Sequence, residues 1–157
     1  MIIFNILQCL IGNLQKVFSI NYIGQIFTCK KLNAYKKATL TEIVEDLVNM
    51  HPSMRFAAII DLKGNILESI MHKGKTSLKT QKEEEHFCIQ VAQRRKMRQE
   101  FDKSLGKVRY VQVEREKVTQ IVIYPKRKTV YFTLEPEIGP TKKMALINRA
   151  KKITMHL

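Results

Sequence analysis

The chain lacks tryptophan and has only three cysteines, four prolines and six glycines in 157 residues. Cys9, Cys29 and Cys88 are odd in number, far apart and never spaced C-x-x-C. That excludes a zinc ribbon, a thioredoxin-type redox site and a secreted disulfide framework, and points to a reducing, cytoplasmic setting. Cys88 stands between Phe87 and Ile89, where a small buried thiol is expected. The shortage of glycine and proline, with no repeat of fixed period, excludes collagen-like, low-complexity and solenoid chains. Acidic residues are scarce too: 14 Asp+Glu face 28 Lys+Arg, a net charge of +14. Such an excess attracts polyanions, whether nucleic acid, acidic protein or anionic lipid.

Long apolar runs are missing as well. The opening Met1–Gly12 is apolar, but Asn5, Gln8, Asn13, Gln15 and Lys16 interrupt it. A membrane span needs about 20 predominantly apolar residues, and a secretory signal needs a basic start and a small-residue cleavage site. Neither is expected here. From Met1 to Ala38 there are five lysines and no acid, and Gly139–Leu157 carries five basic residues and no acid. Residues 1–38 read as a poorly defined basic, partly apolar extension, and residues 39–157 as a single α+β domain.

Thr39-Leu-Thr-Glu42 opens the patterned region as a capping box, in which the threonine hydroxyl and the glutamate carboxylate satisfy each other's backbone N–H. Leu40, Ile43, Val44, Leu47 and Val48 then share one helical face, and Pro52 limits that helix. Phe56–Ile60 and Ile66–Met71 flank a turn rich in Asp, Gly and Asn, the pattern of a β-hairpin whose positive φ falls on Gly64 or Asn65. Thr80 with Glu83 repeats the capping box, predicting a helix over about 81–104 that Gly106 ends. Its apolar positions are Phe87, Cys88, Val91 and Ala92, then Met97, Phe101 and Leu105. Strands are expected at Val108–Glu114, Thr119–Tyr124 and Thr129–Leu134, where apolar and polar residues alternate. Gly139-Pro-Thr141 introduces a last helix with Met144, Ile147 and Ile153 as its stripe.

The order is α-β-β-α-β-β-β-α. Hairpins within each strand group predict one five-stranded, mostly antiparallel sheet in an α/β/α sandwich, with the middle helix as crossover.

That order, with the segment Phe56-Ala-Ala-Ile-Ile-Asp-Leu-Lys-Gly-Asn-Ile-Leu67, resembles the roadblock family of dynein light chains and small-GTPase regulators, which has a profilin-like fold. The resemblance covers Thr39 to about Ile153. The whole chain is also similar to small, uncharacterised archaeal proteins. The roadblock resemblance implies a non-enzymatic module that homodimerises, often through the middle helix and a sheet edge, and binds a GTPase or scaffold. The long basic middle helix and the N-terminal extension depart from the family pattern.

Motifs for catalysis are absent or incomplete. Ser69-Ile-Met-His-Lys-Gly-Lys-Thr76 is one glycine short of a phosphate loop, and its first residues belong to a strand. Glu83, Glu84, Glu85 and His86 suit the dipole of a helix N-terminus without the i, i+4 pairing a metal requires. No catalytic residue, cofactor or metal ligand is expected. The candidate surface for an anionic partner is Arg94, Arg95, Lys96 and Arg98 with Lys126, Arg127 and Lys128, since guanidinium groups grip carboxylate and phosphate in pairs. A protein-binding regulatory module is the first reading. A basic nucleic-acid-binding protein and a small-ligand sensor are the alternatives, although no helix-turn-helix, RNP-type aromatic motif or GxxG loop is present.

Overall fold

A computed structural model describes residues 38–157. Apart from Ala38, the expected N-terminal extension lies outside the described residues. Helix α1 (Leu40–Val48) starts at the expected capping box: the Glu42 N–H donates to the Thr39 hydroxyl at 3.2 Å, and the Glu42 carboxylate accepts from the Thr39 N–H at 2.7 Å. Strands β1 (Met54–Ile60) and β2 (Ile66–Met71) follow, joined by a turn built on Asp61. The Asp61 carboxylate accepts from the Lys63 and Asn65 N–H groups and from the Asn65 amide. Gly64 supplies the positive φ, at +98°, and a Cβ there would lie 2.5 Å from the Ile89 Cα. Only glycine fits both the backbone conformation and the contact.

Helix α2 (Gln81–Gln99) begins at its own capping box between Thr80 and Glu83. It is shorter than the sequence predicts. The Phe101 N–H bonds Arg98 O, a tighter turn than the helix uses, and a separate short helix α3 (Asp102–Leu105) follows before Gly106 at φ +79°. Beyond Ala92 the only residue of α2 buried against the sheet is Arg95, so apolar packing does not extend the helix past its basic segment. Strand β3 (Val111–Arg115) is also shorter than expected, because it pairs only where β4 (Val118–Ile123) runs opposite, from Val111 across from Val122 to Arg115 across from Val118. Strand β5 (Thr129–Leu134) and helix α4 (Pro140–Ile153) complete the domain.

The five strands form one sheet in the order β2-β1-β5-β4-β3, every neighbouring pair antiparallel. Alternation sends two sets of side chains to opposite faces. One face packs Ala57, Ile59, Ile121, Val130, Phe132 and Leu134 against α1 and α4. The other gives Ala58, Ile60, Val122 and Tyr131 to Cys88 and Val91 of α2. The buried stripe of α4 is Lys143, Leu146, Ile147 and Ala150, while Met144 stays exposed. Lys143 is buried because its ammonium sits 2.9 Å from both oxygens of the Glu114 carboxylate. That lysine is thereby spent within the fold. Among the described residues no helix is long and apolar enough to cross a membrane.

Candidate functional site

Of the seven basic residues singled out in the sequence, the four on α2 separate into three groups. Arg94 and Lys96 are exposed on α2, with Arg94 Nη2 donating to Gln90 Oε1 at 2.9 Å. Arg95 points inward. It is 6% exposed, and it clamps the helix to the β4–β5 loop: Nη1 donates to Lys128 O and to Thr129 Oγ1, and Nη2 donates to Pro125 O. Its guanidinium also lies 5.1 Å from the Tyr124 ring. Burial lowers its pKa, opposed by the fields of Tyr124 and Asp102. The expectation of Arg95 as part of an exposed ridge is therefore corrected, because its side chain is held by backbone carbonyls below the surface. Arg98 stands at the boundary, half-buried, donating from Nη1 to the Tyr124 hydroxyl at 2.9 Å.

The loop residues divide in turn. Lys126 lines a hollow of about 480 Å3 together with Arg95, Arg98, Lys107 and Asp102. Arg127 and Lys128 line a different one, with Lys126, Thr39 and Leu157 around them. The fold thus brings Arg95, Arg98 and Lys126 together and leaves Arg94, Lys96, Arg127 and Lys128 outside that hollow. Lys107 and Asp102 join the site from a turn and a short helix that no sequence motif marks.

Helix α2 and its continuation also expose apolar side chains. Met97 is 62% exposed, Phe101 57%, and Ile89 and Leu105 lie open as well. Met97, Phe101 and Leu105, the apolar positions further along the expected helix, do not continue the buried face: Phe101 and Leu105 lie beyond the end of α2. Helical steps of about 100° place Met97 roughly 200° from Arg95, away from the sheet. On the sheet face that α2 shares, Val113 of the edge strand β3 is exposed too.

A further hollow of about 570 Å3 lies at the other end of α2, lined by Phe56, Met71, Leu78, Phe87 and Tyr131 with Arg55, Lys79 and Arg115. Lys79 closes off its charge locally, donating to Glu84 at 2.9 Å and to the Tyr131 hydroxyl at 3.1 Å while lying 4.2 Å from the Phe87 ring centroid. The segment resembling a phosphate loop runs as strand through Met71, so its backbone does not curl around a ligand. Among the described residues no group of three His, Cys, Asp or Glu side chains is placed to hold a metal ion.

Comparison with solved structures assigns the architecture. The fold is similar to the gliding protein MglB of Thermus thermophilus, with a TM-score of 0.60 at 16% identity, covering 73% of this chain and 84% of that one. It is similar to a Roadblock/LC7 domain from Streptomyces avermitilis, with a TM-score of 0.58 at 13% identity over 74% and 92% of the two chains. Profilin II of Acanthamoeba castellanii matches at a TM-score of 0.50 and 12% identity, over 74% and 97%. The fold is roadblock-like and profilin-like, as the order of elements implied. None of the curated protein sequences matches this chain significantly. A sequence profile matches residues 35–152, nearly the whole described domain, and the chain belongs to the family that profile defines, a family of unknown function designated DUF6659.

Proposed function

We infer that the chain is a non-catalytic regulatory module that pairs with a second copy of itself through α2 and β3 and offers Arg94, Lys96 and Arg98 to an acidic protein partner. One observation carries this reading: Ile89 and Met97 on α2, Phe101 in the turn after it and Leu105 at the end of α3 are all exposed. Large apolar side chains grouped on a surface mark an interface more often than a solvated face. The edge of β3 supports it, since among the described residues β3 pairs only with β4 and its outward N–H and C=O groups face no other strand, which lets a second chain extend the sheet. The exposed cations fit a partner with a carboxylate-rich surface, where complementary charge sets orientation and association rate. A small GTPase or a scaffold is the partner class that the roadblock resemblance implies.

The test is the mass of the full chain in solution by light scattering, with M97D/F101D as the variant. A dimer that the double substitution converts to a folded monomer supports the reading, and a monomeric wild-type chain sinks it. Duplex DNA and single-stranded RNA are titrated alongside at two salt concentrations. Sub-micromolar binding that falls steeply with salt would put nucleic acid in place of the acidic protein. Charge reversal is restricted to Arg94 and Arg98, because reversing the buried Arg95 would disturb the fold itself.

A further inference from the structure

We propose that the hollow between the C-terminal half of α2 and the β4–β5 loop binds a small phosphate-class dianion. Its volume of about 480 Å3 lies in the range of small-ligand sites. Four cations line it, Arg95, Arg98, Lys107 and Lys126, against the single carboxylate of Asp102.

Arg95 carries the argument. Its side chain is more than nine-tenths buried, its acceptors are two backbone carbonyls and a hydroxyl, and its Nε has no partner among the described residues. Among the described residues no carboxylate forms an ion pair with it. A buried charge whose hydrogen-bond acceptors are all neutral is unfavourable, and a counter-ion in direct contact relieves it. The adjoining hollow is where that counter-ion fits. Asp102 lines the same hollow without pairing with Arg95, and it leaves a positive excess that one monocarboxylate ligand would not neutralise.

The remaining cations are placed to complete the site. Arg98 is anchored through Nη1 to the Tyr124 hydroxyl, which orients the rest of its guanidinium fork, and such a fork matches phosphate geometry. Lys107 and Lys126 are exposed on separate loops, so they close on a ligand without any change in the core. A dianionic phosphate or phosphate monoester matches this charge, whereas a phosphodiester presents one charge per phosphate.

The inference is independent of pairing, and its experiment uses the full chain. Calorimetric titration with inorganic phosphate and with glycerol 3-phosphate is compared with acetate and chloride at matched ionic strength. Saturable binding of both phosphates is expected, at least tenfold tighter than acetate, with a rise in Tm. K107Q/K126Q should weaken phosphate at least tenfold, and R94Q/K96Q, which lies on α2 outside the hollow, should leave it unchanged. Phosphate acting no differently from chloride would overturn the proposal. Equal weakening by both double variants would overturn it too, by assigning the effect to diffuse surface charge. A short duplex DNA bound more tightly than glycerol 3-phosphate, with loss in both variants, would assign the cations to a nucleic-acid backbone instead.

Discussion

The two faces of the sheet are built to different rules. The buried apolar cluster on the side of α1 and α4 holds seventeen residues, those of the two helices included. The cluster on the side of α2 holds six, Cys88 and Val91 of the helix among them, and the helix continues past them on a buried arginine and exposed apolar side chains. The first face is closed mainly by hydrophobic burial, which is where the stability of a small domain comes from, with the Lys143–Glu114 pair at its β3 edge. The second has too little apolar contact to bury the full length of its helix. It holds the far end by hydrogen bonds to loop carbonyls and keeps apolar and cationic groups available to other molecules. One sheet thus carries the main apolar core on one face and the surface proposed for recognition on the other.

Removing a large side chain from the first face tests this most severely. Phe132→Ala is expected to cost about 4 kcal/mol in urea unfolding, whereas Cys88→Ala on the second face costs about 1 kcal/mol. Equal losses would break the distinction. Gly64→Ala ranks next: a positive φ costs an L-residue about 1–2 kcal/mol, and the new methyl meets the Ile89 backbone at 2.5 Å. A loss above about 2 kcal/mol, with α2 amides exchanging faster than those of α1, is the expected pattern.

Acid sharpens the comparison differently, because the ion pairs lie outside both apolar clusters. Glu135 accepts from Lys75 at 2.7 Å and from Arg55 at 2.9 Å, and these bonds, Lys75 foremost, hold its carboxyl below the usual carboxylate range. A depressed carboxylate binds fewer protons folded than unfolded. Its contribution is therefore full above the unfolded value of about 4.5 and is lost as pH falls through the lower folded value. Stability measured from pH 7 to 3 should fall over that window, and Glu135→Gln should flatten the fall while lowering stability at pH 7 by about 1 kcal/mol. A profile unchanged by the substitution would remove the ion pair from the account.

The smallest effect is chemical. Burial, with the nearby Glu84 charge adding to it, pushes the Cys88 thiol up to about 12. Cys88 should stay unlabelled by a thiol reagent at pH 8 until the protein unfolds, as peptide mapping would show. Rapid labelling of native protein would mean that the α2 face opens easily.

The parts legible in the sequence are those fixed by neighbours along the chain. Both capping boxes, the Asp61 turn and the five strands depend on residues a few positions apart, and the antiparallel order follows from them. Arg95 was hidden because its acceptors, Pro125 and Lys128, lie some thirty residues away, and a charged residue in a basic run carries no mark of burial. Met97 and Phe101 misled in the opposite sense. Their mutual spacing is helical, and only their angle to Cys88 and Val91 reveals that they face away. Lys107 and Asp102 reach the site through a helix break that periodicity does not foresee.

The bare contact of Gly64 with the Ile89 backbone has a mechanical consequence. With no side chain as a cushion between turn and helix, a displacement of α2 is met at once by the β1–β2 turn. The hairpin therefore acts as a lever seated on the helix. A pull at the basic end of α2, which Arg95 ties to the β4–β5 loop, would be delivered to the β1–β2 turn that meets the Ile89 backbone.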